Sequence, residues 1–378
     1  MRELRVRPEV QALDPYVPGL SIAEIQQKYG FSQVIKMASN ENPLGASPLV
    51  QEALCRFASY AFRYPQGGNP RLVNALATLH NIDQNRIVAG NGSDEIIDLL
   101  LRLLINPGKN SIVCCKPCFS IYPIQGRIAG AQIRLCPLNE DFSLNFDGLF
   151  GLVDADTRLA FITTPDNPSG YCPPRASVRA LADRLASAFP DCLLVVDEAY
   201  MDFADDEAGA SLLAAHELPD NVVFLRTFSK SYGMAGLRLG YGVLPSSLAS
   251  WFWRARLPFS VNLLAEEGGL AALADAAFRE ATLQATRDGR KMLTRGLADM
   301  GCVVWPSAAN FLLFQPPGGA GSARACFEFL LRKGIIIRSL NSYGLPEHLR
   351  VSVGNAQENN AFLSSMRDAL NTSRTSPA

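Results

Sequence analysis

Between Arg86 and Arg226 the chain repeatedly runs through short segments that are apolar from nearly end to end, and this pattern limits the possible folds more than any other. The segments are Ile87-Val88-Ala89, Ser111-Ile112-Val113, Leu159-Ala160-Phe161-Ile162, Leu193-Leu194-Val195-Val196 and Val222-Val223-Phe224-Leu225. A strand with one wet face alternates apolar and polar residues; a strand covered on both faces does not. Helical stretches separate the segments, so the expected fold class is α/β, with a large domain built on a mostly parallel sheet between helices. After Trp251 and Trp253, a long helical stretch from about Asn262 to Met300 leads into a different rhythm. Val303-Val304-Trp305, Phe311-Leu312-Leu313-Phe314, Ile335-Ile336-Ile337 and Leu349-Arg350-Val351 read as strands of a smaller α+β domain, with one helix near Ala323 to Arg332. Pro316-Pro317-Gly318-Gly319 reads as a loop, and Asn371 to Ala378 as a frayed polar end. The expected division is an N-terminal arm and small-domain segment over 1–40, a large domain over 41–260 and a small C-terminal domain over 261–378.

Composition excludes several classes of function. With 35 basic and 36 acidic residues the net charge is −1, too even to draw in nucleic acid or an anionic membrane, so any anion must be bound locally. Nine cysteines, scattered from Cys55 to Cys326, do not form a secreted disulfide pattern and read as reduced core thiols. The cluster Cys114, Cys115 and Cys118 lacks a second Cys or His pair at zinc spacing, so no metal is expected. The N-terminus has no apolar signal core, and no apolar run reaches membrane length. A cytoplasmic protein is the expectation.

In sheets of this kind ligands collect beyond the carboxyl ends of the strands, and the residues there are polar. They are Gly90-Asn91-Gly92-Ser93, Thr164-Pro165-Asp166-Asn167-Pro168, Asp197-Glu198-Ala199-Tyr200 and Arg226-Thr227-Phe228-Ser229-Lys230. A lone lysine is usually a solvated charge, but a desolvated one near other cations becomes an imine-forming nucleophile. Lys230 has Thr227, Ser229, Gly233, Gly236 and Arg238 around it, a set suited to a phosphate dianion. Together they suggest a covalently tethered, phosphate-bearing aldehyde. Gly90 to Ser93 precedes a helix from Glu95 to Leu104 and reads either as an anion-binding helix start or as an ordinary cap by Ser93. In the first case Asp94 and Glu95 must turn away from the anion. Asp197 ends the most apolar strand and must be paired, either in an ion pair or with a protonated pyridine nitrogen. Tyr200 could reach that ring's phenolic oxygen. Asn167, between Pro165 and Pro168, could do the same or serve as a rigid turn.

The Lys230 segment, Asn167-Pro168-Ser169-Gly170 and Val196-Asp197-Glu198-Ala199-Tyr200 resemble the fold-type I aminotransferases that depend on pyridoxal 5'-phosphate (PLP). Ala38-Ser39-Asn40-Glu41-Asn42-Pro43-Leu44-Gly45, Tyr64-Pro65, Gly90 to Glu95 and Arg350-Val351-Ser352-Val353-Gly354 narrow the resemblance to the histidinol-phosphate aminotransferase branch. The likeness runs in order from Arg7 to about Leu370. It implies that Lys230 carries the cofactor covalently and moves the substrate proton, that Asp197 faces the pyridine nitrogen, and that Asn167 and Tyr200 bind the ring oxygen. Gly92, Ser93, Asp94, Ser229 and Arg238 would form the phosphate site with Thr227 in support, and Phe119 would stack on the ring. Tyr64 would reach the phosphate of a neighbouring subunit, which implies a homodimer with composite sites. Tyr16, Asn40, Asn42, Arg338 and Arg350 would bind the substrates, a phosphorylated amino alcohol in exchange with glutamate and 2-oxoglutarate. For Arg338 above all, a structural salt bridge is the competing role.

Phe119 stands where the branch often has tyrosine, Ser260 where it has asparagine, Ala46 where it has proline, and Gln66-Gly67-Gly68 where it has an acid before glycine. These departures leave room for relatives that act on aromatic amino acids or decarboxylate threonine phosphate. A PLP-binding sensor would need a DNA-binding module, and Arg7 already opens the enzyme-like region. A nicotinamide enzyme is disfavoured by the missing third glycine after Gly92, and a hydrolase by His80, His216 and His348, which sit in no nucleophile-base arrangement.

Overall fold

A computed structural model of the chain describes residues 5–11, 13 and 20–375. The main sheet has strands β1 (Ile87–Asn91), β2 (Ser111–Lys116), β3 (Gln132–Pro137), β4 (Thr157–Thr163), β5 (Leu193–Asp197), β6 (Val222–Thr227) and β7 (Leu239–Val243). Their spatial order is β1-β7-β6-β5-β4-β2-β3. Only β7 runs against its neighbours, so the sheet is mostly parallel and the others share a carboxyl edge. All five apolar runs of the sequence are strands. The two that lacked a clear signal have local reasons: the partly exposed β3 is interrupted by Arg134, and Gly240 and Gly242 dilute β7.

The uninterrupted apolar runs follow from two cores, one on each face. Leu194 and Val196 enter one together with Leu72, Leu76, Leu181 and Leu185 from flanking helices. Val195 enters the other, with Ile96, Leu99 and Leu100 of the helix Ser93–Leu104. The central strands β5 and β6 are thus withdrawn from water on both faces, the condition under which alternation disappears.

A second, four-stranded antiparallel sheet contains β8 (Val303–Val304), β9 (Phe311–Gln315), β10 (Arg338–Ser339) and β11 (Leu349–Ser352), in the order β10-β11-β9-β8. Leu312, Phe314 and Val351 pack there against Leu293, Leu330, Phe362 and Met366. Several expected boundaries move. The apolar run 335–337 divides: Ile335–Ile336 pairs in parallel with Ile35–Lys36, and Arg338 begins β10. The long helix is two, Leu263–Ala274 and Ala276–Ala298, because Asp275 leaves helical geometry to cap the second by accepting the Phe278 N–H. A helix starts at Gly319, inside the expected loop. The last helix continues to Thr375, past the expected fray at Asn371, anchored by buried Met366, Ala369 and Leu370. All nine thiols are free, but Cys55 is exposed and not a core residue.

One buried ionic cluster ties the two regions together. Arg226 of β6 donates to Glu198 at 2.7 Å, to Glu207 at 2.9 Å and to Asp202 at 3.3 Å. Arg279 of the helix Ala276–Ala298 reaches the same Asp202 at 3.2 Å, and the Ser231 hydroxyl donates to it as well. Removing one side of a buried pair leaves an uncompensated charge in the interior. Arg226→Met should therefore lower unfolding free energy by about 3–5 kcal/mol, read as an earlier urea midpoint.

Candidate active site

The carboxyl edge of the main sheet gathers the chemistry. Strands β1, β2, β4, β5 and β6 end at this edge, and antiparallel β7 starts there, which places Arg238 beside Gly92 although 146 positions separate them in sequence (238 − 92). Ser93, Asp94, Phe119, Asn167, Asp197, Tyr200, Thr227, Ser229, Lys230 and Arg238 line one cavity of about 210 Å³. Asn40, Arg338 and Arg350 meet Phe119, Asn167, Tyr200 and Lys230 in an adjoining space of about 130 Å³.

At one end of the larger cavity the helix Ser93–Leu104 presents an open start. Gly92 (φ +75°), not Ser93, is its N-cap, and no side chain caps it, so the cap role considered for Ser93 is not the one it plays. Of the acids of the first turn, Asp94 lines the cavity and accepts from Arg238 at 3.0 Å, while Glu95 accepts from the Asn91 N–H at 2.5 Å. A β-carbon on Gly92 would come within 2.7 Å of the Arg238 guanidinium, and one on Gly240 within 2.4 Å of the Ser93 nitrogen. Glycine at both points lets backbone N–H groups, the Ser93 and Ser229 hydroxyls and Arg238 face the same small volume, a cradle for an anion.

At the other end sits Asp197, 4% exposed. Its Oδ1 accepts from the Ala199 N–H at 3.1 Å and its Oδ2 from the Tyr122 hydroxyl at 2.6 Å. Burial pushes its pKa up to about 6, against the pull of those hydrogen bonds. Beside the cavity, Arg350 donates from Nη1 to Asn167 Oδ1 at 2.5 Å and from Nη2 to the Ala38 carbonyl at 2.9 Å. The Asn167 amide oxygen is thereby engaged, which leaves its NH₂ for a ligand oxygen. Tyr200 receives the Asn40 amide at 3.0 Å.

Lys230 lies between the two ends. Its amine donates to the Ser39 carbonyl at 3.2 Å and lies 5.5 Å from the centre of the Tyr200 ring. Burial, then the positive field of Arg350, brings its pKa down to about 8. Nothing in the sequence points to the Ser39 contact, because a backbone carbonyl is the same in every residue. Tyr122 and Thr163 also escaped it: both look like core residues until the fold sets them against Asp197.

Not every candidate enters the cavity. Asn42 sits behind Lys230 and outside the substrate space, donating to the Ser231 carbonyl at 2.9 Å and to Thr282 at 3.1 Å. Tyr64 is 82% exposed and stacks on Phe259 with centroids 4.7 Å apart, away from this chain's own pocket. Tyr16 lies outside the described residues. Among the histidines, His80 is buried against the Tyr241 hydroxyl at 2.7 Å, and His348 packs on Trp305 and Phe142.

PLP presents a phosphate, a pyridine nitrogen, a phenolic oxygen and an aldehyde, and the cavity offers an anion cradle, a carboxylate, an amide with a phenol, and an amine. Fold and donor set together define the fold-type I class of PLP enzymes. Within that class, the chain belongs to the aminotransferase class I and II family, which it matches over residues 32–366. It is 57% identical over 366 residues to a histidinol-phosphate aminotransferase of Oleidesulfovibrio alaskensis, covering 97% of this chain and 95% of that one. A histidinol-phosphate aminotransferase of Nitratidesulfovibrio vulgaris is 55% identical over 365 residues, covering 97% and 96%. The solved histidinol-phosphate aminotransferase of Sinorhizobium meliloti, in complex with pyridoxal-5'-phosphate, superposes with a TM-score of 0.88 at 26% identity, covering 97% and 98%.

A protonated ammonium has no lone pair, so capture of a phosphate-bearing aldehyde by the apo protein should rise with pH through about 8. Borohydride trapping followed by intact-mass measurement would record it. Arg350→Met should move that midpoint upward by removing a neighbouring positive charge, and Lys230→Ala should trap nothing.

Proposed function

We propose that this chain is a PLP-dependent aminotransferase that exchanges the amino group of L-histidinol phosphate with 2-oxoglutarate, yielding imidazole-acetol phosphate and L-glutamate. The observation that carries the substrate reading is the register of the small sheet. Arg338 of β10 stands directly opposite Arg350 of β11, and both line the space beside Lys230. That register brings two guanidinium groups to one space, donors suited to an anionic substrate. The buried Arg350 Nε has no hydrogen-bond partner among the described residues, a donor left over for such a ligand. A substrate phosphate and a glutamate carboxylate are both oxyanions that a guanidinium pair can serve in turn. Past Arg338 and Tyr343 a larger cavity of about 870 Å³ opens, lined also by Lys116 and Arg127, with room for the rest of a substrate.

PLP, when bound, supplies an aldehyde that takes the substrate amine covalently and a protonated ring that draws electrons from the bonds at the substrate Cα. Ser93, Ser229 and Arg238 would hold its phosphate. Asp197 would keep the ring nitrogen protonated, and Asn167 with Tyr200 would engage the ring oxygen. Lys230, as a neutral amine beside the bound substrate, would be the base that takes the Cα proton and later returns it. Its lowered pKa keeps a useful fraction in that form near neutral pH. The two half-reactions use one site in turn, so the kinetics are ping-pong.

The same proposal includes a homodimer with shared sites. Tyr64 is joined at the surface by Tyr60, Phe62, Trp251, Leu257 and Phe259, all at least 41% exposed, and exposed aromatic surface of this kind favours burial against a partner. It further includes the division into an arm (1–40), a large domain (41–260) and a small domain (261–378).

Single half-reactions of the PLP form with L-histidinol phosphate, L-phenylalanine and L-threonine phosphate test the substrate. Fast loss of the visible cofactor band is expected with histidinol phosphate alone, and a faster reaction with phenylalanine would reject the assignment. Co-expressing Lys230→Ala with Tyr64→Ala tests the shared site. Each variant should be nearly inactive by itself, whereas hybrid dimers regain one intact site and measurable turnover.

A further inference from the structure

Tyr122 sits outside the groups that would touch cofactor or substrate, yet it contacts two of them. It lies in the first turn of the helix Ile121–Ile128 and is 1% exposed. Its hydroxyl donates to Asp197 Oδ2 at 2.6 Å and lies 2.8 Å from Thr163 Oγ1. A phenol has one proton, and the carboxylate takes it, so the Thr163 hydroxyl is the donor in the second contact. Thr163 ends β4 directly opposite Asp197 at the end of β5, which makes the chain Thr163 to Tyr122 to Asp197 a consequence of strand register. The Tyr122 ring stacks on Phe161 (4.8 Å, 15°) and meets Phe119 edge-on (5.6 Å, 85°).

Resting on the PLP reading above, we propose that Tyr122 is a positioning residue: its hydroxyl holds Asp197 ionised and aimed at the cofactor's ring nitrogen, and its ring sets the orientation of Phe119. The physical case is a balance of charges. Burial drives Asp197 toward the neutral acid, and the negative field of Asp94 acts in the same direction. Opposing them are the Tyr122 hydroxyl, the Ala199 N–H and the positive field of Lys230. Tyr122 in turn faces Thr163 and Cys118 and is held neutral by burial and by Asp197 itself, so it remains a donor. Of the opposing groups, the Tyr122 hydroxyl is the one a substitution can remove without disturbing backbone or lysine.

The sign follows. An ionised Asp197 pairs with a protonated ring nitrogen, so cofactor affinity is high above the Asp197 pKa and falls as pH drops through it. Without the hydroxyl that pKa rises, and the fall begins at higher pH. The test is Tyr122→Phe, which keeps the ring contacts, with Thr163→Val as the milder variant that removes only the outer donor. Equilibrium binding of pyridoxamine 5'-phosphate, which carries no aldehyde and so forms no imine with Lys230, is the readout, followed by tryptophan fluorescence from about pH 5 to about pH 8, with thermal melts of the apo proteins alongside. For Tyr122→Phe we expect affinity about tenfold weaker near neutral pH and a midpoint about one unit higher. Thr163→Val should move the midpoint less, in the same direction. An unmoved midpoint in Tyr122→Phe, whether affinity is unchanged or falls together with the melting temperature, overturns the proposal. Failure of the wild-type protein to bind pyridoxamine 5'-phosphate would instead overturn the functional reading, and this proposal with it.

Discussion

A carboxylate at the end of a strand buried on both faces has to be compensated, and much of the site follows from how Asp197 meets that demand. Its backbone position is fixed by the parallel ladder between β4 and β5, which pairs it with Thr163. Two hydrogen bonds satisfy part of its capacity, and burial still holds its pKa near 6. What is left over is a carboxylate that gains from a cationic partner in the cavity, the role a pyridinium nitrogen fills. The rest of the larger cavity is placed relative to this point by the shared edge of the sheet.

Lys230 presents the complementary problem, a cation placed where cations are disfavoured. Burial and Arg350 both press it toward the neutral amine. The residues that follow the two catalytic candidates are held from behind by one cluster: Glu198 pairs with Arg226, and Ser231 donates to Asp202, which also pairs with Arg226. A single buried guanidinium thus braces the segments that follow Asp197 and Lys230. Because Arg279 joins the cluster from the helix Ala276–Ala298, that helix is set against the same edge.

The substrate side has a different character. Arg338 and Arg350 come from the small sheet, while Asn167 and Lys230 come from the large one, and the Arg350 hydrogen bond to Asn167 spans the two. The groups proposed for the cofactor therefore rest on one sheet, whereas those proposed for the substrate depend on how the second sheet meets it. This arrangement lets a family keep one chemistry while its substrates vary.

The sequence by itself determined most of the main sheet and named most of the residues that line the cavity beside Lys230, because both follow from local rules. Runs such as Leu193 to Val196 can stay apolar throughout only if both faces are covered, and polar residues directly after such runs must lie at the strand ends. Lys230, Asp197 and Ser93 were legible for that reason. Boundaries set by single side chains were not: Asp275 breaks a helix whose apolar pattern continues across it, and Ile335–Ile336 leaves its apparent strand to pair with Ile35–Lys36. Contacts between distant segments were decided only by the tertiary structure. Arg238 reaches Gly92 because β7 runs antiparallel, Arg338 faces Arg350 because of a strand register, and Asn42 turns toward Ser231 and away from the substrate space. Tyr122 illustrates the limit most directly. Its apolar ring and helical setting mark a core residue, and only the pairing of β4 with β5 places Thr163 and Asp197 within reach of its hydroxyl.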